Sequence, residues 1–395
     1  MARQEAQRLD PGVVTLGWVS FLTDVASDMI YPLLPGFLTR TLGAGPAALG
    51  LIEGIAESAA SLTKVGSGWW SDRAGHRKRF VLFGYLLAAL ARPLVGLAQS
   101  WSQVLAIRFT DRVGKGIRTP PRDALVASLT RAESRGRAFG LQRAMDNAGA
   151  FVGPILAALL LKFFATEQRT VFLLALVPGL AAVALLLFRV TEPPRPAPMP
   201  RSAHTAAEKL PRALWIAIGI FFLFALANST DAFLLLRAQD AGVPLWQIPL
   251  LWAFFQGVKA LAGVPGGALS DRIGRAPALG LGWAIYALSY AGFAFATSAA
   301  AIWPLFAFYG LFFALTEGTE RALVAELVPE RLRGRAFGAF HAAIGAAALP
   351  SSLFFGILWK TLGPRAAFLI GAAVALAATA ALFLLRARMK PVELR

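Results

Sequence analysis

The chain has 395 residues, 57% of them hydrophobic and only 15% charged, with a mean hydropathy of +0.59. Soluble domains run nearer roughly 45–50% apolar and about 25% charged, so a soluble fold is excluded; with no cysteine, so are disulfides, thiolate metal sites and cysteine catalysis. A formal net charge of +17 would suggest nucleic acid in a soluble chain, but the basic residues sit mainly in short loops between apolar stretches, the pattern that orients a membrane protein.

Twelve spans are predicted, over residues 13–37, 46–70, 79–99, 101–121, 137–162, 168–190, 213–236, 246–270, 276–298, 301–325, 336–359 and 365–386. Each is long enough to cross a hydrocarbon core about 30 Å thick. The first follows the polar stretch MARQEAQRLDPG and runs on without a small-residue cleavage site. It reads as a retained span, not a signal peptide. The fourth, WSQVLAIRFTDRVGKGIRTPP, is too charged for a plain hydropathy reading. It is kept because the loop with Arg73, Arg77, Lys78 and Arg79 and the loop with Arg131, Arg135 and Arg137 are both basic. Two spans must separate them if both face the cytoplasm. The same bias places both termini in the cytoplasm, for a multi-pass protein of the cell (inner) membrane. Trp101, Trp246, Trp303 and Trp359 fall near outer ends of spans, and Trp69, Trp70 and Trp215 near inner ends, where aromatic residues favour the interfaces.

A proline-rich polar segment divides the chain into residues 1–190, a linker over 191–212 expected on the cytoplasmic side, and residues 213–395. The halves repeat each other. Ser71-Asp72-Arg73-Ala74-Gly75 returns as Ser270-Asp271-Arg272-Ile273-Gly274. Arg135-Gly136-Arg137-Ala138-Phe139-Gly140 returns as Arg333-Gly334-Arg335-Ala336-Phe337-Gly338, and Ala124-Leu125-Val126-Ala127 as Ala322-Leu323-Val324-Ala325. All are displaced by 198 or 199 residues. Internal duplication marks secondary transporters. The expected fold is an all-α membrane protein, with twelve transmembrane helices in two pseudo-symmetric six-helix bundles.

A charge at the bilayer centre costs about 2.5–3.5 kcal/mol even on the mild insertion scale, yet the first half carries many. Asp24 and Asp28 lie on the first span, Glu53 and Glu57 on the second, and Arg92 on the third. Arg108, Asp111, Arg112 and Lys115 lie on the fourth, and Arg143, Asp146 and Asn147 on the fifth. Asp24/Asp28 and Glu53/Glu57 are each four apart and share a helix face. The fourth-span charges stand at i, i+3, i+4 and i+7, one stripe. At about 1.5 Å of rise per residue, Asp24, Glu57 and Arg112 lie about 16 Å into their spans and Asp146 about 13 Å, near the midplane. Static ion pairs would account for any one of them. For the whole set, apolar side chains would pack as well, so a functional role is expected. The second half is sparser, with Asn228, Asp231, Gln256, Lys259, Glu317, Glu320, Arg321 and His341, and is rich in Phe and Trp. Coupling and substrate packing are therefore expected to be partly divided between the halves.

Several motifs then fit one family. Gly68-Trp69-Trp70-Ser71-Asp72-Arg73-Ala74-Gly75-His76-Arg77-Lys78 follows G-x-x-x-D-R-x-G-R/K-R/K, with one extra residue before the basic pair. The stretch from Gly267 to Gly274, with Asp271 and Arg272, is a weaker second copy. Arg112-Val113-Gly114-Lys115-Gly116 follows R-x-x-Q-G with Lys115 in place of glutamine. Asp24 with Pro32 and Pro35 matches an acidic–proline first span. Gly149-Ala150-Phe151-Val152-Gly153-Pro154 matches the start of G-x-x-x-G-P-x-x-G-G, with Ala157 and Ala158 replacing the last glycines. In these motifs the chain resembles the major facilitator superfamily along nearly its whole length, and the drug:proton antiporter branch in particular.

The resemblance implies an inner gate built on Gly68, Asp72, Arg73, Gly75, Arg77, Lys78, Asp271 and Arg272, in which Asp72 accepts hydrogen bonds from a helix N-terminus. It implies that Arg112 lies beside an acidic residue of the first span and influences its proton affinity. Gly149, Gly153 and Pro154 would allow close helix contact. The expected function is secondary active transport of a small organic solute by alternating access, as proton-coupled export of a drug or metabolite. Asp24 or Asp28 would accept the proton with Arg112 as partner, followed by Glu57 and Asp146. Glu53, Arg92, Arg108, Lys115, Arg143, Asn228, Asp231, Gln256 and Lys259 would line the substrate cavity. Proton-coupled uptake or exchange of an anionic metabolite is the alternative, suited to the basic residues. GKGIRTPPRD lacks phosphate-loop spacing and no nucleophile–base or metal-ligand set is visible, so neither an enzyme nor a metal site is expected. Nor is a cofactor, the proton gradient being the driving force. The expected partners are a small-molecule substrate and the lipid bilayer, with no nucleic acid, and the expected state is a monomer.

Overall fold

Inside a bilayer no water is available to satisfy a peptide group, so a spanning segment must close its own hydrogen bonds, and helices do so. The computed structural model describes residues 9–74, 76–131, 134–164, 167–193 and 209–389. Twelve long helical segments run through them. They are α1 (Pro11–Thr41), α2 (Pro46–Ala74), α3 (Arg77–Leu97), α4 (Trp101–Ser128), α5 (Arg135–Phe163) and α6 (Gln168–Arg189), then α7 (Arg212–Asp240), α8 (Gln247–Ile273), α9 (Arg275–Phe295), α10 (Ala299–Glu326), α11 (Glu330–Leu362) and α12 (Pro364–Leu385). Ten are long and apolar enough to cross a membrane. The remaining two are α4, whose charge was evident from the sequence, and α2.

Local chemistry sets the irregularities. Asp10 caps α1 by accepting from Gly12 N at 2.7 Å, and Ser100 caps α4 through Gln103 N. Beyond Ile30, α1 tightens and then widens through 3₁₀ and π turns, because Pro32 and Pro35 remove two backbone donors. The seventh span, expected as continuous over 213–236, is interrupted. Helix stops at Ala227 and resumes at Ala232, and Asn228–Asp231 forms an irregular turn between them. At Gly274, the last residue of the repeated second-half motif, φ is +91°, a conformation that glycine adopts without strain.

Contacts divide the chain into two units. One holds Met1–Gly43, Ala59–Ala197 and Pro244–Ala253; the other holds Ala44–Ser58, Pro198–Val243 and Phe254–Arg395. Each is thus mostly one sequence half, apart from the start of α2 and the start of α8. The linker residues 194–208 lie outside the described residues.

In the first unit glycines let backbones approach where side chains would not fit. A Cβ added to Gly153 would stand 2.5 Å from Val25 O, and one added to Gly149 would stand 3.0 Å from Asp24 Cβ, so α5 lies directly on α1. Gly84 and Gly114 do the same for α3 and α4: a Cβ on either would fall 2.6 or 2.8 Å from the other's carbonyl oxygen. Gly116 packs on α2 at Ala60 and Thr63, and Ser67 Oγ donates to Gly116 O at 2.9 Å. Toward the linker end, Val13, Leu16, Val81, Val126 and Leu186 close an apolar cluster.

The core of the second unit is aromatic. Tyr286 and Tyr290 stack at 4.1 Å, Phe224 lies flat on Trp283 at 4.4 Å, and Tyr309 stacks on Phe255 at 5.6 Å. The start of α2 belongs here, held against α11. A Cβ on Gly54 would stand 2.9 Å from Leu349 Cα, one on Gly356 would stand 2.5 Å from Pro46 O, and Ser58 Oγ donates to Gly345 O at 3.0 Å. Strongly exposed apolar side chains, such as Phe188 on α6 and Leu384 on α12, suit a surface whose solvent is hydrocarbon.

Candidate functional site

The charged stripe of α4 converges on one carboxylate. Asp111 is 1% exposed. Arg92 of α3 donates from Nε to Asp111 Oδ1 at 2.6 Å, and Arg108, one turn earlier on α4, reaches Oδ2 at 3.5 Å. Arg92 Nη1 also donates to Thr23 O at 3.0 Å and so ties α1 to the pair. Arg112 and Arg118 add their fields at Asp111. One carboxylate therefore faces several guanidinium groups.

A second cluster joins α1, α4 and α5. Arg122 Nη1 donates to Ser20 Oγ at 3.0 Å and stands 3.6 Å from Asp146 Oδ1; Asp123 accepts from the same guanidinium at 3.0 and 3.1 Å. Gln142 Nε2 donates to Ser20 Oγ and to Asp146 Oδ1, the latter at 3.3 Å. Arg118 lies 4.5 Å over the Tyr85 ring, a cation–π contact.

Asp24 sits in the field of Asp146, Asp28, Lys115 and Arg118. Asp28, one turn on, accepts from Trp252 Nε1 at 2.8 Å and feels Lys115, Arg112 and Arg92. Depth alone pairs Asp24 with Arg112. The structure puts Lys115 and Arg118 about Asp24, and Arg112 about Asp28 and Asp111. Arg143 is exposed on α5, one turn before Asp146.

The second unit places Glu57 with Asp231, within its field together with Lys259. Glu53, one turn before Glu57, is 1% exposed. Asp231 ends the break in α7 and accepts from Tyr309 OH at 2.7 Å. Three peptide groups at the break take side-chain partners. Ala227 O accepts from Tyr286 OH at 2.8 Å, Asn228 O from Ser351 Oγ at 3.0 Å, and Thr230 N donates to Ser352 Oγ at 3.2 Å. Lys259 Nζ is 3.1 Å from Glu317 Oε2 and 4.4 Å over the Phe313 ring; Gln256 is half-buried one turn before it.

At a displacement of 198 residues, Arg92, Arg108, Asp111 and Lys115 correspond to Tyr290, Phe306, Tyr309 and Phe313. The same positions carry an ionic network in one repeat and stacked rings in the other.

At the motif between α2 and α3, Gly75 and the side chain of Asp72 lie outside the described residues. Gly68 is half-buried near Pro120, and Arg73 lies over the Trp69 ring at 5.2 Å. Arg77 N and Lys78 N donate to the Glu192 carboxylate at 2.8 and 3.1 Å, so a residue three positions past the end of α6 caps α3. Lys78 Nζ donates to Leu187 O at 2.9 Å. In the second copy Asp271 takes Arg275 Nη1 at 2.5 Å while Arg275 Nε reaches Glu326 at 2.9 Å; Arg272 is exposed. Gly149, Gly153 and Pro154 are buried on α5.

Sequence reasoning did not single out Arg118, Arg122, Glu192, Trp252 or Tyr309. Arg118 and Arg122 had a signal: they extend the α4 stripe at steps of three and four. Glu192 and Trp252 act across long separations, and no local spacing announces them.

The sequence profile described as Major Facilitator Superfamily matches residues 16–316 and 247–395. The chain is 36% identical over 376 residues to an uncharacterized MFS-type transporter of Methanocaldococcus jannaschii, covering 94% of each chain. It is 30% identical over 274 residues to the multidrug resistance protein MdtG of Serratia proteamaculans, covering 66% of each. Among solved structures, the nucleoside transporter NupG superposes with a TM-score of 0.80 at 14% identity, covering 94% of this chain and 99% of that one.

Proposed function

The chain belongs to the Major Facilitator Superfamily, and on that premise we propose that it exports a small organic compound in exchange for protons, by alternating access. A membrane transporter of this family takes a small-molecule substrate. The finer reading rests on one observation, the buried ionic network of α1, α3, α4 and α5. Asp24 and Asp28 stand a turn apart on α1, each within the field of lysine or arginine groups from α4. A carrier needs a carboxylate whose charged partners differ between its two facing states, so that a proton is taken up on one side and released on the other. Asp24 or Asp28 takes that role, with Arg112 and Lys115 as the α4 groups that favour release, and Asp146 as a further acid whose field reaches Asp24. Glu57, Asp231 and Lys259 form a separate polar group at the broken α7, among aromatic rings that suit the body of an organic substrate. Irregular backbone at the centre of a span is a common place for transporter binding sites. Likeness to MdtG supports export. We place the protein in the cell membrane as a monomer with both termini in the cytoplasm, the gradient serving as its energy source.

Purified protein in liposomes with an acidic lumen and an entrapped pH indicator tests the reading. Addition of a transported compound should release luminal protons. The Asp24→Asn and Asp28→Asn proteins should separate by this readout, the residue that carries the proton losing release entirely. If both variants keep normal gradient-driven exchange, α1 is not the proton site. The several guanidinium groups around Asp111 favour a second reading, uptake or exchange of a carboxylate or phosphate compound. That reading predicts flux that an anionic compound saturates and that Arg112→Ala abolishes even without a pH gradient.

A further inference from the structure

The second unit contains a cavity of about 360 Å³, walled by Leu226 and Ala227 where α7 breaks, by Phe354 and Leu358 of α11, and by Ile370 and Val374 of α12. Its lining side chains are apolar apart from Ser351, whose hydroxyl is already committed to Asn228 O at 3.0 Å. An ordered water needs two to four polar partners, and the cavity does not offer them. Left empty, its walls would lose the dispersion contacts that a packed neighbour provides. Its size falls in the range of ligand sites, roughly 300–1,000 Å³.

Position along the helices says what fills it. Phe354 at its rim is 56% exposed, and Leu376, two residues past Val374, is 53% exposed. On a membrane-spanning helix such side chains face lipid. The cavity lies toward the turn between α11 and α12, which is flanked by exposed Lys360 at the end of α11 and exposed Arg365 at the start of α12. Lys360 is two residues beyond Leu358, and Arg365 two residues before the lining residue Ala367. At about 1.5 Å of rise per residue, each cation stands within about one helical turn of the cavity. The Arg365 guanidinium lies 4.4 Å from the Phe295 ring, an arrangement that leaves its in-plane donors available.

We propose that this cavity seats an acyl chain of a membrane phospholipid, whose phosphate is held by Lys360 and Arg365. The tail buttresses the broken span. It bears on Gly371, where an added Cβ would stand only 3.0 Å from the Tyr290 ring. Tyr290 OH pairs with Ser229 Oγ at 3.2 Å, so cavity, ring and unwound segment are in mechanical contact. The site does not depend on the proposed export activity or on its proton site.

The full-length protein in liposomes, with a trace of phospholipid bearing a diazirine near the tail end, tests this. After irradiation, labelled peptides are mapped by mass spectrometry. Label is expected in 350–358 and 367–374, saturating with probe and displaced by unlabelled long-chain phospholipid but not by a short-chain one. Val374→Trp and Ile370→Trp fill the space and should each cut labelling there about tenfold, while labelling of the exposed face of α6 stays constant and reports a folded, inserted protein. Arg365→Gln with Lys360→Gln should weaken the phospholipid probe but not a diazirine fatty alcohol. Labelling in the unsubstituted protein that never saturates, or that spreads evenly over all exposed faces, overturns the site, whether or not the filled variants fold. Equal loss of both probes in the glutamine variant overturns the headgroup assignment.

Discussion

Asp111 illustrates how a buried charge is made tolerable. Removing one partner of a buried pair typically costs about 3–5 kcal/mol, because the other charge stays buried and uncompensated. Asp111→Asn removes the carboxylate charge that Arg92 and Arg108 share. It should lower the thermal transition of the detergent-purified protein sharply and reduce the monodisperse yield. Asp24→Asn removes a carboxylate from the field of Asp146 and Asp28 and should leave that transition nearly unchanged while abolishing gradient-driven flux. Equal loss of stability in the two proteins would make Asp24 a structural charge as well. At this scale the sequence was partly legible. The i, i+3, i+4 spacing brought out Arg108, Asp111, Arg112 and Lys115 as a unit, since periodicity is a property of one helix. That Arg92 completes the unit from α3, and that Trp252 donates to Asp28, are facts about packing between helices, to which no periodicity points.

Helix ends carry the next level of information. The carboxylate of Glu192 takes the two backbone donors of Arg77 and Lys78, and so sits at the positive end of the α3 dipole. Glu192→Ala should cost about 1–2 kcal/mol, seen as a modest fall in the thermal transition. Glu192→Gln, which keeps an acceptor, should fall between the two. If Glu192→Ala leaves stability untouched, water caps α3 equally well. Most spans were legible because hydropathy and length suffice to find a helix in a membrane; α4 was legible only from the basic loops on either side of it. The interruption of α7 was not, because Phe and Leu on either side of it keep the average hydropathy high. Yet Asn228-Ser229-Thr230-Asp231 is a run of turn-forming residues, and read without its neighbours it marks the break. The partners that make the break affordable, Tyr286, Ser351 and Ser352, come from α9 and α11 and were beyond reach of any local reading.

For the whole molecule, the duplication was visible as three motifs displaced by 198 or 199 residues, but its divergence was visible only as a contrast in composition. Correspondence at 198 residues turns that contrast into a substitution of an ionic core by an aromatic one, position for position. Orientation is testable on a clean background, since the chain has no cysteine. A cysteine placed at His76, exposed in the turn between α2 and α3, should react with an impermeant maleimide only in inverted vesicles. One at Thr361, exposed at the end of α11, should react in intact cells. The reverse pattern would invert the topology and with it the direction of transport.

The charge of α4 also bears on how the chain is made. A ribosome-bound translocon accepts spans largely by their own partition free energy, and arginine or aspartate at mid-span is penalised by about 2.5–3.5 kcal/mol each. With Arg108, Asp111 and Arg112 near its middle, α4 is a poor client alone. The short link Ala98–Ser100 and the bond from Arg92 to Asp111 let α3 and α4 enter as one hairpin, each masking a charge of the other. In a glycosylation-reporter assay α4 expressed by itself should be translocated rather than retained, and retention should return when α3 precedes it. Biogenesis of the first repeat would then run in pairs, while the ring-lined second repeat could be threaded into the bilayer one helix at a time.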